Sequence, residues 1–174
     1  MSSLEIDLLV SPITRKRFVH VTLLTWIANI GLDFLLNAGV LARVIDWKQP
    51  GLLTPTQMFQ RIPLGYLSFL LTTILMVWLI ARMEVRELRA GLIFGMKFGA
   101  LTGAAGFLGL LSILDLKAGT LGIWSAETVL TCTLQGAIIG YGLAKANLRR
   151  LVLTVLAFFA ASILVAAILQ NLRI

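Results

Sequence analysis

One histidine, one cysteine and eight carboxylates in 174 residues leave little material for catalysis. His20 alone cannot build a bis-histidine haem or histidine-cluster metal site, since each needs several ligands from the chain. It follows Arg15-Lys16-Arg17, a setting that suits a membrane interface better than an active centre. Cys132 alone rules out an intrachain disulfide and a CxxC redox pair, and within its apolar run it reads as a small buried side chain. No HExxH, no Ser/His pair and no phosphate-binding glycine loop occurs. The expectation is therefore no enzyme, no catalytic residue, no bound metal and no cofactor. An aspartyl-type dyad of Asp33 and Glu127 is the one catalytic arrangement the residues leave open.

Charge is scarce as well, and its distribution is the more informative absence. Between Arg61 and Arg82 lie 20 residues without a charge, and between Arg150 and Arg173 lie 22. The 25 residues between Arg17 and Arg43 hold only Asp33, the 25 between Arg89 and Asp115 only Lys97, and the 27 between Lys117 and Lys145 only Glu127. A helix needs roughly 20 apolar residues to cross a ~30 Å hydrocarbon layer. With 59% hydrophobic residues, against ~45–50% in soluble domains, the chain reads as an all-α membrane protein. The expected architecture is a single membrane domain over 1–174, a bundle of five transmembrane helices near 18–41, 62–81, 91–114, 121–143 and 151–170. A net charge of +7 does not imply nucleic acid, because the basic residues sit at span ends and no aromatic stacking platform accompanies them. The partner they suit is the lipid bilayer.

The first span runs longer than the ~7–15 apolar residues of a secretion signal, holds Asp33 and lacks a small-x-small cleavage site, so it is expected to be retained. After it, Thr54-Pro55-Thr56-Gln57 has the pattern of a helix start, with Thr54 as N-cap, Pro55 at the first position and Gln57 closing a capping box. Met58, Phe59 and Ile62 then form an apolar edge, and Trp47 suits the headgroup level. A short interfacial helix ahead of the second span is the expected outcome.

Two patterns lie inside the spans. Gly91, Gly95, Gly99 and Gly103 recur at four-residue spacing in the third, and Gly136, Gly140 and Ala144 in the fourth. On helices these make faces without side chains, along which another backbone approaches closely. The short turn between the two spans favours packing within one chain, and joining two chains into a homo-oligomer is the alternative. The second pattern is polar. Asn29, Asp33 and Asn37 line one face of the first span, and Glu127, Thr131 and Gln135 repeat the spacing in the fourth. At ~1.5 Å per residue, Asp33 and Glu127 lie about 22 and 21 Å from the same boundary. Intramembrane carboxylates are costly and face the bundle interior or a wet cavity; two at one level do not both stay ionised unless a cation intervenes. Arg61, at the end of the second span, is the nearest candidate cation, whereas Lys97 is placed to snorkel to the interface. The stripes form either a polar cleft for a proton, cation or small solute, or interhelical hydrogen bonds.

The glycine-rich third helix (GLIFGMKFGALTGAAGF), together with IWSAETVL and GAIIGYGL in the fourth, resembles small uncharacterised bacterial membrane proteins of about four spans. That likeness covers Arg61 to Ala144 and implies a helical bundle of the bacterial inner membrane, with no site residue to carry over. A fainter one is to the small substrate-binding subunits of bacterial vitamin importers. The function expected is that of a small transport protein or transporter membrane subunit; the alternative is a non-catalytic subunit or assembly factor bound to a partner membrane subunit. Arg15, Lys16, Arg17, Arg82, Arg86, Arg89, Lys145, Arg149 and Arg150 fall on one side, against Arg43, Lys48, Arg61, Lys117 and Arg173 on the other. The positive-inside rule then puts the N-terminus in the cytoplasm. Reporter fusions after Glu87 and Arg149 are expected to read cytoplasmic and one after Lys117 external; the inverse pattern would overturn the orientation.

Overall fold

The computed structural model describes residues 14–144 and 147–172, which fold into five long helices with no strand among the described residues. Lys145 and Arg173, used in the charge balance above, lie outside them. Helix α1 spans Arg15–Asp33 and runs on as a π-helical stretch, Phe34–Val40, and a 3-10 turn, Leu41–Arg43. Helices α2 (Pro55–Arg82), α3 (Leu88–Ile113), α4 (Ala118–Leu143) and α5 (Leu148–Asn171) follow, joined by short connections. The segment Arg15–Arg43 and helices α2, α3 and α5 are long and apolar enough to cross a membrane. Helix α4 equals α3 in length, 26 residues each, and differs in composition: it carries Glu127, Gln135 and four threonines. It is also the helix in contact with all four others.

Helix α3 shows why α4 tolerates that composition. The only buried residues of α3 are Gly91, Gly95, Gly99 and Gly103. They lie along Gly140, Gly136, Cys132 and Ser125 of α4, in antiparallel order. A methyl group at Gly95 would overlap the Cys132 carbonyl, and one at Gly99 would come within 2.9 Å of Cys132 Cβ and Val129 Cα. The outer side of α3, including Leu101 and Leu108, is exposed. Helix α1 and its continuation also approach α5, less closely: a methyl at Gly31 would lie 3.2 Å from Phe159 Cα and one at Gly39 3.3 Å from Ala166 Cα.

Both ends of the bundle are tied by arginines. Arg17 donates to the carbonyls of Gly142 (2.8 Å) and Ala144 at the end of α4. Arg43 donates to those of Leu172 (2.8 Å) and Leu169 at the end of α5. These carbonyls are the acceptors a helix C-terminus leaves without intrahelical donors. At the Arg43 end, residues 44–54 fold across the bundle. Gln49 Nε2 donates to Thr120 Oγ1 at 3.1 Å, and Lys117 pairs with Asp46 at 3.2 Å. The Lys48 backbone N–H, with Lys117, holds the Asp46 carboxyl below the usual carboxylate range. The loop turns at Gly51, whose φ of +91° suits a residue without a side chain.

Two expectations change. The capping box is present, with Thr54 accepting from the Gln57 N–H and Gln57 accepting from that of Thr54, but it opens α2 itself. The separate interfacial helix is absent: α2 is continuous for 28 residues through Pro63. Proline at this place removes one hydrogen bond to the exposed Phe59 turn. At ~1.5 Å per residue, α2 is about 42 Å long, which exceeds the ~30 Å of a bilayer's hydrocarbon core. The first span also does not stay α-helical. The Leu41 N–H bonds to the Leu36 carbonyl, the i→i+5 pattern of a π-helix.

The glycine contacts make one substitution change sign along a single helix. A methyl group added at Gly106 would meet nothing within 4 Å, so Gly106→Ala is expected to stabilise by the ~0.5–1 kcal/mol that alanine gains over glycine in a helix. Gly95→Ala is expected to destabilise by ~1–3 kcal/mol through overpacking. Thermal unfolding of both variants in detergent checks this; equal shifts would count against close backbone packing.

Candidate functional site

A cleft of about 450 Å³ lies between α1, α2 and α4, and Asn29, Asp33, Asn37, Glu127, Thr131 and Gln135 all line it. The structure thus brings both polar stripes to one place. At its centre is Asn37, whose Nδ2 donates to Asp33 Oδ1 at 2.9 Å and to Glu127 Oε1 at 2.6 Å. One amide group uses both hydrogens, one on each carboxyl group. The two acceptor oxygens are therefore no farther apart than those two bonds combined. Asn37 sits in the π-helical stretch, with Asp33 just before it. Such wider turns appear frequently at functional sites.

The inner end of the cleft holds two amides of another kind. Asn29 and Gln135 are each 1% exposed, and neither the nitrogen nor the oxygen of either side chain has a hydrogen-bond partner. Gln49 Oε1 and Ser162 Oγ are further buried atoms without one. The threonines behave differently. Thr22, Thr25, Thr73, Thr128 and Thr133 each donate back to the carbonyl four residues earlier, so their hydroxyls need nothing from another helix. Buried polar groups are nearly always hydrogen-bonded, and orphaned amides in a polar cavity are ones that water or a bound molecule satisfies.

A second cavity of about 390 Å³ adjoins the first and shares Asp33, Asn37, Trp47 and Phe69 with it. Its other lining includes Phe34, Ile62 and Tyr66. Trp47, on the loop, lines both cavities. Tyr66 is held in place through its backbone, whose carbonyl accepts from Trp26 Nε1 at 2.9 Å. No lysine, arginine or histidine lines either cavity among the described residues. Arg61 is not brought to the site. It is exposed on the first turns of α2, where the continuous helix carries it away from the carboxyl groups. Lys97 is likewise exposed, on α3.

Sequence reasoning missed Ser68, Phe69, Thr72, Trp124 and Thr128, all of which line the cleft. A signal was present for two: Ser68 and Thr72 repeat the four-residue polar spacing on α2. The four glycines of α3 and Gly136 and Gly140 stand outside the cleft, on the α3–α4 contact. The described residues contain no cluster of three or more His, Cys, Asp or Glu placed to hold a metal ion. No family model, curated protein or solved structure matches the chain.

A polar cleft that admits water differs measurably from a dry helix contact. Because Cys132 is the sole cysteine, a Cys132→Ser background allows single thiols to be placed at will. A water-soluble thiol reagent is expected to modify Thr131→Cys in the cleft and to spare Leu101→Cys on the outer face of α3. Protection of both positions in membranes would show the stripes to be sealed helix contacts.

Proposed function

We propose that this chain is a small bacterial inner-membrane transport protein, or the membrane subunit of a transporter, that crosses the bilayer five times with its N-terminus in the cytoplasm. Its solute, a proton, a cation or a small polar molecule, is held in the cleft between α1, α2 and α4. One observation carries the proposal: Asp33 and Glu127 share the amide of Asn37, while no cationic side chain among the described residues faces them. Two carboxyl groups so close in a low-dielectric setting need a proton or a cation between them. Structural ion pairs supply their own counter-charge; here no side chain among the described residues lining the cavities supplies one. The orphaned amides of Asn29 and Gln135 continue the polar lining inward. Intramembrane carboxylates in such a setting mark substrate and ion pathways.

The same reading accounts for α4. Its polar residues leave it short of the apolarity of the other four helices, and it crosses because those helices enclose it. Trp47 lines the cleft from the loop of residues 44–54, the side that the charge bias assigns to the exterior.

Asp33→Asn and Glu127→Gln keep shape and hydrogen-bonding capacity while removing charge. Each is expected to lower solute-coupled flux in proteoliposomes by about 10- to 100-fold, the scale of a lost charge-assisted contact of ~1.5–3 kcal/mol. Thermal stability in detergent is expected to stay near that of the parent. Undiminished flux in both variants would remove the site from the transport path.

A further inference from the structure

We infer that the solute is an organic cation, an ammonium head with an apolar or aromatic substituent, seated across the two adjoining cavities; this rests on the transport reading above. The cleft supplies the site for the head. Asp33 and Glu127 present carboxyl oxygens on either side of the Asn37 amide. The neighbouring cavity supplies the site for the substituent. Phe34, Trp47, Tyr66 and Phe69 line it, with Asp33 at the shared wall. Each cavity falls within the ~300–1,000 Å³ of small-molecule sites.

An alkali ion does not account for this arrangement. Sodium or potassium replaces a hydration shell with several oxygen ligands at short range, and it makes no use of an aromatic chamber. A neutral apolar molecule would use the aromatic chamber and make no use of the carboxyl groups. An alkyl or aryl ammonium uses both, because ring faces attract a cation through their quadrupole and carboxylates pair with it directly. The buried amides of Asn29 and Gln135, 1% exposed and without protein partners, form the polar inner end of the same cleft. Their two carbonyl oxygens can accept from a primary or secondary ammonium, and their NH2 groups can donate to the water that solvates it.

Binding to the full chain in nanodiscs of zwitterionic lipid tests the inference, since such lipid removes the attraction of anionic headgroups for cations. Trp47 and Trp124 line the cavities, so intrinsic tryptophan emission serves as the readout. The probe is benzyltrimethylammonium, and neopentylbenzene is its uncharged isostere. Saturable quenching by the ammonium is expected, with the isostere weaker by about tenfold or more, and Asp33→Asn reducing ammonium affinity by about tenfold. Tyr66→Leu keeps the backbone carbonyl that anchors Trp26. It is expected to weaken benzyltrimethylammonium by about threefold to tenfold and tetramethylammonium, which lacks the ring, by less. Equal binding of charged probe and isostere would overturn the inference by showing apolar partition. Asp33-dependent flux of sodium, potassium or protons without ammonium binding would overturn the organic class and leave the transport function standing. Absence of any Asp33-dependent binding or flux, of cations, protons or small polar solutes, would overturn both.

Discussion

A helix with polar residues along its length can lie in an apolar layer only if other helices enclose it, and α4 is the long helix of this bundle that falls short of the apolarity of a membrane span. Every unsatisfied group facing hydrocarbon costs several kcal/mol, so Glu127, Thr131 and Gln135 must face protein. The enclosing is done from one side by α3, and the glycine face is what makes α3 able to do it. With Gly91, Gly95, Gly99 and Gly103 against Gly140, Gly136, Cys132 and Ser125, the backbones meet without intervening side chains. A helix with leucine at those positions would stand farther off and leave α4 partly uncovered. The other side is closed by α1, which brings polar groups of its own. Asn37 meets Glu127 across that seam, so the residues that make α4 unsuited to lipid become the site.

Much of this is legible in the sequence because helical periodicity is local. Four-residue spacing places Asn29, Asp33 and Asn37 on one face and Glu127, Thr131 and Gln135 on another, and equal depth suggests that the faces meet. The glycine spacing points to close packing of the third and fourth helices for the same reason. Thr54 and Gln57 announce a helix start that the structure contains. Where that helix stops is not legible, because Pro63 reads as a break in water while a membrane-spanning helix accommodates it.

What stays hidden depends on tertiary position. Nothing in FLLNAGV marks a π-helix; the stretch is set by contacts such as Gly39 on Ala166 and Gln170 on the Ala38 carbonyl, from a helix more than a hundred residues away. Arg61 looks near the carboxyl groups when depth is counted along the chain, yet it is exposed and lines neither cavity. Trp47 reads as a headgroup anchor, and only the fold of residues 44–54 over Thr120 and Lys117 turns it toward the cleft. The aromatic chamber is assembled from α1, the loop and α2, and no sequence spacing relates Phe34, Trp47 and Tyr66.

The distribution of close contacts also bears on how such a site is reached. Backbone-to-backbone packing joins α3 with α4; α1 lies on α5 through two glycine approaches and a side-chain cluster that includes Leu24, Leu151 and Val155. Between the pairs runs the seam that holds Asn37 and Glu127. Toward the Arg17 end that seam is filled by Val21, Met76, Val77, Ile80, Ile139 and Leu143, a cluster almost without exposed surface. The carboxyl groups therefore share their cleft with Trp47, while the apolar cluster lies between them and the Arg17 end. On the transport reading proposed above, passage of a solute would require the apolar cluster to part, and movement of the α1–α5 pair against the α3–α4 pair, a rocking of packed units about a central site, is one way of doing so. The Asn37–Glu127 hydrogen bond crosses that boundary. On that reading, a solute held at the carboxyl groups and any opening of the seam would act on the same contact.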